Sequence, residues 1–288
     1  MHCGVGDYTA RLAQALAQRG DVELLVLTTR LPDYVADDPA WVRRAMPSWR
    51  ISALPHFLAA ARAFGPDIVH LQYPSQGYKV KNGLAFIPLL ARLLLGIPVV
   101  ETWHEYPPPF FTKGMLCMCT LALPADTVIA VRPEYSSHVR SLLAATLGST
   151  PIRFIHNASV IPQVRLTAAE TAALRAQLGC QGRQLVSFFG FAYPHKGVDQ
   201  LFQLADPERH HLLLIGEFSE SDAYHRQLRA LAESDRWRGK VRITGFVEPD
   251  RAARLLAMSD AAVFPFSGGG GVWNSSLQAA MLQGTFAL

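Results

Sequence analysis

The sequence predicts an α/β protein made of two Rossmann-like, doubly wound domains facing each other across a cleft. Short runs rich in Val, Ile and Leu recur at intervals of roughly 20 to 35 residues, separated by helix-period segments, as in a parallel sheet with crossover helices. Several of these runs are apolar nearly throughout, as strands covered on both faces must be. At 288 residues the chain is also about twice the commonest domain size.

In the amino-terminal half the expected strands are "VELLVLTT" from Val22, "WRISAL" from Trp49, "DIVHLQY" from Asp67, "PVVETWH" from Pro98, "DTVIAV" from Asp126 and "PIRFIHN" from Pro151. Between the glycine turn at the start and the first strand, "YTARLAQALAQRG" puts Leu12, Ala15 and Leu16 on one helical face and stops at Gly20. "GLAFIPLLARLLLG" from Gly83 is a more apolar helix with Pro88 near its first turn. After Pro162 the text turns Ala- and Gln-rich, and a second strand series begins: "QLVSFFGF" from Gln184, "HLLLIGE" from His211, "KVRITGF" from Lys240, "AAVFPF" from Ala261 and "TFAL" from Thr285. The domain break is placed at Val160 to Pro162, giving domains of residues 1–160 and 161–288.

Half of the residues are hydrophobic and 17% are charged, so the chain can bury a large core. The net charge of +4 comes without a run of like charges, which argues against a dedicated nucleic-acid protein and leaves nucleotides and acidic membranes as partners. The apolar stretch from Gly83 to Val100 is broken by Pro88, Arg92 and Pro98 and reads as a helix followed by a strand, not a membrane span. No secretion signal stands at the start. Cys3, Cys117, Cys119 and Cys180 form no CxxC pair, so reduced thiols in a cytoplasmic protein without structural zinc are expected.

In open parallel sheets ligands bind beyond the carboxyl ends of strands, and the unusual residues of this chain fall there. Gly4, Val5 and Gly6 make a Gly-X-Gly turn before a helix, suited to an anion or a sugar hydroxyl; an ordinary tight turn is the plainer reading. His104 and Glu105 close the strand "VVETWH", as cleft residues or as a surface pair satisfied by backbone carbonyls. After "FFGF", Gly190 and a short loop lead to Lys196 and Gly197 at the head of a helix, where a full charge joins the free amides of the helix start; the alternative is a solvated lysine. Ser267 to Gly271 form a loop able to visit positive φ and to present consecutive amides to phosphate oxygens, with Asn274, Ser275 or Ser276 as cap of the helix that stops at Gly284.

In order along the chain, "CGVGDYTARLAQALAQRG", "PDIVHLQYP", "VVETWHEY", "ADTVIAV", "IRFIHNASV", "FFGFAYPHKGVDQL", "LLLIGE", "VRITGFVEPDRAARLLAMSDAAVFPF" and the glycine loop with "LQAAMLQG" resemble the family 4 glycosyltransferases of the GT-B fold. The resemblance implies transfer of a sugar from a nucleotide-diphosphate sugar, a substrate and not a cofactor, to a glycan or lipid-linked acceptor with retention of anomeric configuration and without a metal ion. It assigns His104 to the transferred sugar and Lys196 to the diphosphate, both as catalytic residues. It assigns Gly190, Gly197, Gly269, Gly270, Gly271, Val272 and Ser276 to donor binding, and Gly4, Val5 and Gly6 to an acceptor or phosphate loop. Three departures accompany it. Phe191 stands where the family commonly has an arginine after Gly190, and Gly271 and Ala279 stand where it commonly has two glutamates, as in branches that replace the acidic pair with small residues. The family pattern also implies a strand before Met1 and helices after Leu288. The competing expectation is a non-catalytic nucleotide-sugar or glycan-binding protein; a sugar-nucleotide epimerase is a third. The expected location is cytoplasmic, with peripheral contact at the inner face of the membrane through the Gly83–Gly96 helix flanked by Lys79, Lys81 and Arg92.

Overall fold

The computed structural model describes residues 4–30, 38–73, 78, 83–104, 120–135, 150–271 and 273–288. Glu105, Val272, Lys79, Lys81, Cys3, Cys117 and Cys119 lie outside the described residues. The chain divides into two compact units, Met1–His156 and Asn157–Leu288.

Unit one opens on helix α1 (Gly4–Ala17), followed by β1 (Val26–Thr29) and β2 (Val42–Met46), which pair in parallel. Two expectations are corrected here. Gly4 and Gly6 do not form a turn before the helix; they occupy its first turn, where the amides lack intrahelical partners whatever the residue. Trp49 to Leu54 is no strand: Ile51–Ala53 form a 3₁₀ turn running into α2 (Leu54–Phe64). Pro55 presets the first helical turn and has no amide to give a ladder, so the helix wins. The strand lies earlier, in "VRRAM", whose two arginines mask its periodicity. Trp49 Nε1 then donates to Thr29 Oγ1 at 2.8 Å, fastening the segment after β2 to the end of β1.

Strands β3 (Val69–Tyr73), β4 (Val99–Trp103), β5 (Thr127–Ala130) and β6 (Ile152–Phe154) form a parallel sheet in chain order. Between β3 and β4 the expected Gly83–Gly96 helix is composite: a 3₁₀ turn (Leu84–Phe86), the short helix α3 (Ile87–Leu90) with Pro88 in its first turn, and a π turn (Ala91–Leu95) ended by left-handed Gly96. Leu84, Ile87 and Ala91 are buried, whereas Leu93 and Leu94 face solvent. The core of this unit gathers Met46, Leu84, Trp103, Leu121 and Val128.

Unit two begins with α4 (Ala168–Gln177), started by a capping box in which Glu170 N–H donates to Thr167 Oγ1 at 3.2 Å and Thr167 N–H to Glu170 Oε2 at 2.9 Å. Then follow β7 (Gln184–Phe189), α5 (Leu201–Leu204), β8 (His210–Ile215), α6 (Ala223–Glu233), β9 (Val241–Ile243), α7 (Pro249–Ala257), β10 (Ala261–Ala262), α8 (Ser275–Leu282) and β11 (Phe286–Ala287). All five strands are parallel, in the order β11-β10-β7-β8-β9. From β7 to β9 the chain winds one way across the sheet, then returns to the other side of β7 to place β10. A topological switch point therefore lies between β7 and β10.

Leu212, Leu213, Leu214 and Ile215 are buried in succession, which requires cover on both faces of β8. Replacing Leu214 by Ala should cost about 2 to 5 kcal/mol, because the packed neighbours collapse only partly into the space left. Thr167→Ala removes one cap on an exposed helix end and should cost about 1 kcal/mol. Urea unfolding followed by circular dichroism should rank the two variants in that order.

Candidate functional site

The switch point in unit two brings together most of the residues the sequence singles out there. The chain leaves β7 at Gly190, with φ of 125°, and a Cβ on it would stand 2.6 Å from Ser276 Oγ in α8. Gly216, just after β8, is tighter: its Cβ would meet the Gly190 carbonyl oxygen at 2.2 Å. Beyond Gly190 the expected helix start is corrected to two 3₁₀ turns, Pro194–Lys196 and Val198–Gln200, joined by left-handed Gly197. A Cβ on Gly197 would lie 2.3 Å from the Pro265 carbonyl oxygen, so only glycine permits this approach of the loops after β7 and β10.

The second loop is tied to the first. Ser267 donates to the His195 carbonyl through both its amide (3.2 Å) and its hydroxyl (3.1 Å). Lys196 Nζ sits 4.0 Å from the centroid of the Phe266 ring, a cation–π contact that holds the ammonium at the switch point. Gly269 takes φ of 72°, and a Cβ on Gly270 would come within 3.3 Å of Leu277. Asn274 occupies the N-cap position of α8, but its side chain makes no cap bond; its Oδ1 instead accepts from the Gly271 amide at 2.8 Å. That bond folds the glycine loop back onto the helix start. Near Gly190, His225 accepts from the Ser219 amide at Nδ1 (2.9 Å) and donates from Nε2 to the Ala192 carbonyl (3.1 Å), pinning the loops after β7 and β8 together. Its place in a helix gave no sequence signal for this.

The Lys196 charge and a glycine loop with few side chains thus converge beyond the carboxyl ends of β7 and β10, a place suited to a phosphorylated ligand, although the amides of Gly190, Gly197, Ser267, Gly269 and Gly271 are bonded within the protein. A separate apolar groove of about 680 Å³ lies against α5 and strands β7, β10 and β11; neither Lys196 nor the glycine loop lines it.

In unit one, His104 follows β4 and its amide donates to the Tyr73 carbonyl at 2.7 Å. Its ring meets Tyr8 of α1 edge-on at 4.7 Å between centroids, one helical turn from Gly4, Val5 and Gly6. The Tyr8 and Thr102 hydroxyls share a hydrogen bond, and burial raises the Tyr8 pKa. His104 Nε2 lies 2.8 Å from Gln72 Oε1, Gln72 Nε2 lies 3.1 Å from His70 Nε2, and His70 Nε2 lies 2.8 Å from Thr102 Oγ1. Sequence reasoning named only His104. The others were signalled by polar residues two apart, His70 and Gln72 in "VHLQY" and Thr102 and His104 in "VETWH", which the two-residue period puts on one face.

Burial, with the neighbouring His70 adding to it, lowers the His104 pKa to about 4, so the ring is neutral at neutral pH. Burial also lowers the His70 pKa to about 4, although its side chain keeps an exposed edge where solvent screens the effect. On the opposite face of β4, Glu101 is fully buried: Trp103 Nε1 donates to its Oε2 at 2.7 Å, and Oε1 has no hydrogen-bond partner among the described residues. Burial pushes this carboxyl up to about 7, against the opposing effect of the Trp103 bond. Among the described residues no group of His, Cys, Asp and Glu is placed to hold a metal ion, and no helix is long and apolar enough to cross a membrane.

Residues 3–158 match the family model described as "Glycosyl transferase 4-like domain". No curated protein matches the sequence. Among solved structures, sucrose-phosphate synthase from Thermosynechococcus elongatus is similar at a TM-score of 0.69 and 19% identity, over 99% of this chain and 75% of that one. Anabaena HepE in complex with UDP and glucose aligns at 0.63 and 19%, over 85% of this chain and 65% of its own. The catalytic domain of starch synthase IV from Arabidopsis thaliana, bound to ADP and acarbose, aligns at 0.57 and 17%, over 82% and 59%. These likenesses establish a shared GT-B fold, and the chain spans between 59 and 75% of the length of these three structures.

Glu101 of β4 and His104 just after it give a pH signature. Between pH 4.5 and 7 folded Glu101 binds a proton that its unfolded form releases, so its contribution to stability falls as pH rises. His104 does the opposite between pH 4 and 6.5: the unfolded ring binds the proton, and stability falls as pH drops. Between pH 5 and 6.5 the two slopes oppose each other. Glu101→Gln removes one of them, so its stability relative to the parent should rise with pH by about 1.4 kcal/mol per unit across that window. Urea midpoints at pH 5, 6 and 7 measure this; a difference independent of pH overturns it.

Proposed function

Since the chain belongs to the glycosyl transferase 4-like family, we propose that it transfers a sugar from a nucleotide-diphosphate sugar to a glycan or lipid-linked acceptor, with retention at the anomeric carbon. The observation that carries this reading is the convergence of Gly190, Lys196, Gly197, the Gly269–Gly271 loop and Ser276 at the switch point of the unit-two sheet. As the bond between the sugar and the diphosphate breaks, negative charge grows on the leaving oxygen. Lys196 and the loop amides stabilise that charge more than they stabilise the bound donor, and this difference accelerates transfer. Unit one contributes His104 toward the transferred sugar, with Gly4, Val5 and Gly6 toward the acceptor. UDP-sugars are the first donors to test, because HepE is described in complex with UDP-glucose.

A second reading, a protein that binds nucleotide sugar without transferring it, draws on Phe191 after Gly190 and on Gly271 and Ala279, which leave Lys196 the cation of the described loop and supply no carboxylate from these positions. One experiment separates the two. With UDP-glucose as first probe, followed by GDP- and ADP-sugars, the parent should release nucleoside diphosphate, and Lys196→Ala should lower kcat about 100-fold. Calorimetric binding without release would favour the second reading, and equal turnover by Lys196→Ala would remove the proposed role of Lys196.

The exposed Leu93 and Leu94 support peripheral contact with a membrane, where a lipid-linked acceptor resides; Arg92 beside them is ion-paired with Asp126. The chain should float with anionic liposomes and lose most of that binding in the double variant Leu93→Ser, Leu94→Ser; equal flotation by both proteins rejects the contact.

A further inference from the structure

His104 has been assigned to a sugar, yet an imidazole can donate, accept or carry charge, and each suits a different group on the ligand. The polar row on β3 and β4 narrows the choice. Gln72 is buried and spans the two histidines, with Oε1 toward His104 and Nε2 toward His70. The ends of a carboxamide differ: the oxygen only accepts and the nitrogen only donates. With Oε1 at 2.8 Å, His104 Nε2 must carry a hydrogen and donate it. With the amide nitrogen at 3.1 Å, His70 Nε2 must be bare, its proton resting on Nδ1, and the Thr102 hydroxyl at 2.8 Å donates to the same atom.

We propose that Gln72 is a positioning residue: it locks His104 as the neutral Nε2–H tautomer and leaves Nδ1, an acceptor only, for the ligand. This rests on the transferase reading for what the ligand is. Its consequence is specific. A bare Nδ1 accepts a hydrogen bond from a sugar hydroxyl and repels phosphate oxygens, so His104 reads the sugar while the diphosphate falls to Lys196 and the loop amides. A reversed amide would exchange the tautomers of both histidines, turning His104 into a donor at Nδ1. The Thr102 hydroxyl, able to donate or accept, adapts to the bare His70 Nε2, and Tyr8 closes over Thr102 and the His104 ring. Among the described residues, the titratable side chains that reach His104 are Tyr8 from α1 and His70 from β3.

The test has two readouts. In the full chain labelled with ¹⁵N-histidine, without nucleotide sugar, the His104 signal, identified by its loss in His104→Asn, should show a protonated Nε2 and a bare Nδ1 at pH 7. Gln72→Leu should lose that preference and lower kcat/KM for UDP-glucose about 100-fold, the scale of a misplaced contact group. Gln72→Glu, nearly isosteric and still an acceptor, should keep the Nε2–H form but move the His104 titration and the acid limb of kcat/KM upward in pH. Thermal unfolding followed by circular dichroism identifies any variant that fails to fold, and Gln72→Glu stands in for Gln72→Leu in that case. A proton on Nδ1 in the parent overturns the proposal, as does a folded Gln72→Leu with unchanged tautomer and kcat/KM. If the parent shows the expected tautomer but turns over no nucleotide sugar, the positioning role stands and the transferase reading falls.

Discussion

A parallel sheet covered on both faces leaves little room for polar side chains, and both units obey this constraint. β8 shows it fully, with four successive buried aliphatic residues. Polar groups in such a sheet either move to the carboxyl ends of the strands or satisfy one another in place, because an unpaired buried group costs about 1 to 3 kcal/mol. Unit two largely takes the first course, with buried Ser187 satisfied in place by the Ala261 carbonyl, and unit one largely the second. The chemistry of the molecule follows from that division.

At the ends of β7 and β10 the chain has shed side chains. Gly190, Gly197 and Gly216 sit where a Cβ would strike a neighbour, and the loops approach one another through backbone and short side chains. The amides of Gly190, Gly197, Ser267, Gly269 and Gly271 already donate within the protein, so complementarity to anions rests on the Lys196 charge and on the Gly268 and Gly270 amides. On β3 and β4 the opposite holds. His70, Gln72, Thr102 and His104 form a neutral row whose donors and acceptors are largely used on one another, suited to hydroxyls. Under the proposed function, the anion-complementary loops of unit two are assigned to phosphate and the neutral row of unit one to sugar hydroxyls. Glu101 on the far face, held by Trp103 through Oε2 but with no partner for Oε1 among the described residues, departs from the constraint, and burial answers it by favouring the protonated acid.

Much of this was legible in the residues. "DIVHLQY" and "VVETWH" announce strands by their apolar content, and "GFAYPHKG" and "FSGGGG" announce loops through glycine and proline. Two local features misled. The arginines of "VRRAM" hid β2, because charged residues at a partly exposed strand do not alternate cleanly with apolar ones. "WRISAL" looked like a strand because its residues favour one, but Pro55 next to it set the helix. The two-residue spacing signalled His70 with Gln72 and Thr102 with His104 within each strand, but their meeting with one another and with Tyr8 was invisible, since the pairing of β3 with β4 and the packing of α1 bring residues so distant in the chain together.

By itself the sequence determined the alternation of strand and helix, the parallel character of the sheets, and the glycine and lysine positions beyond the strands, because apolar periodicity, turn chemistry and charge are local properties of the chain. Only the tertiary structure decided that the strand order reverses at β7, that Gly197 must be glycine because the Pro265 carbonyl arrives beside it, and that Gln72 stands between two histidines with one donating and one accepting end. Those are facts of register and close approach. They depend on where distant segments come to rest, and no short stretch of residues carries that information.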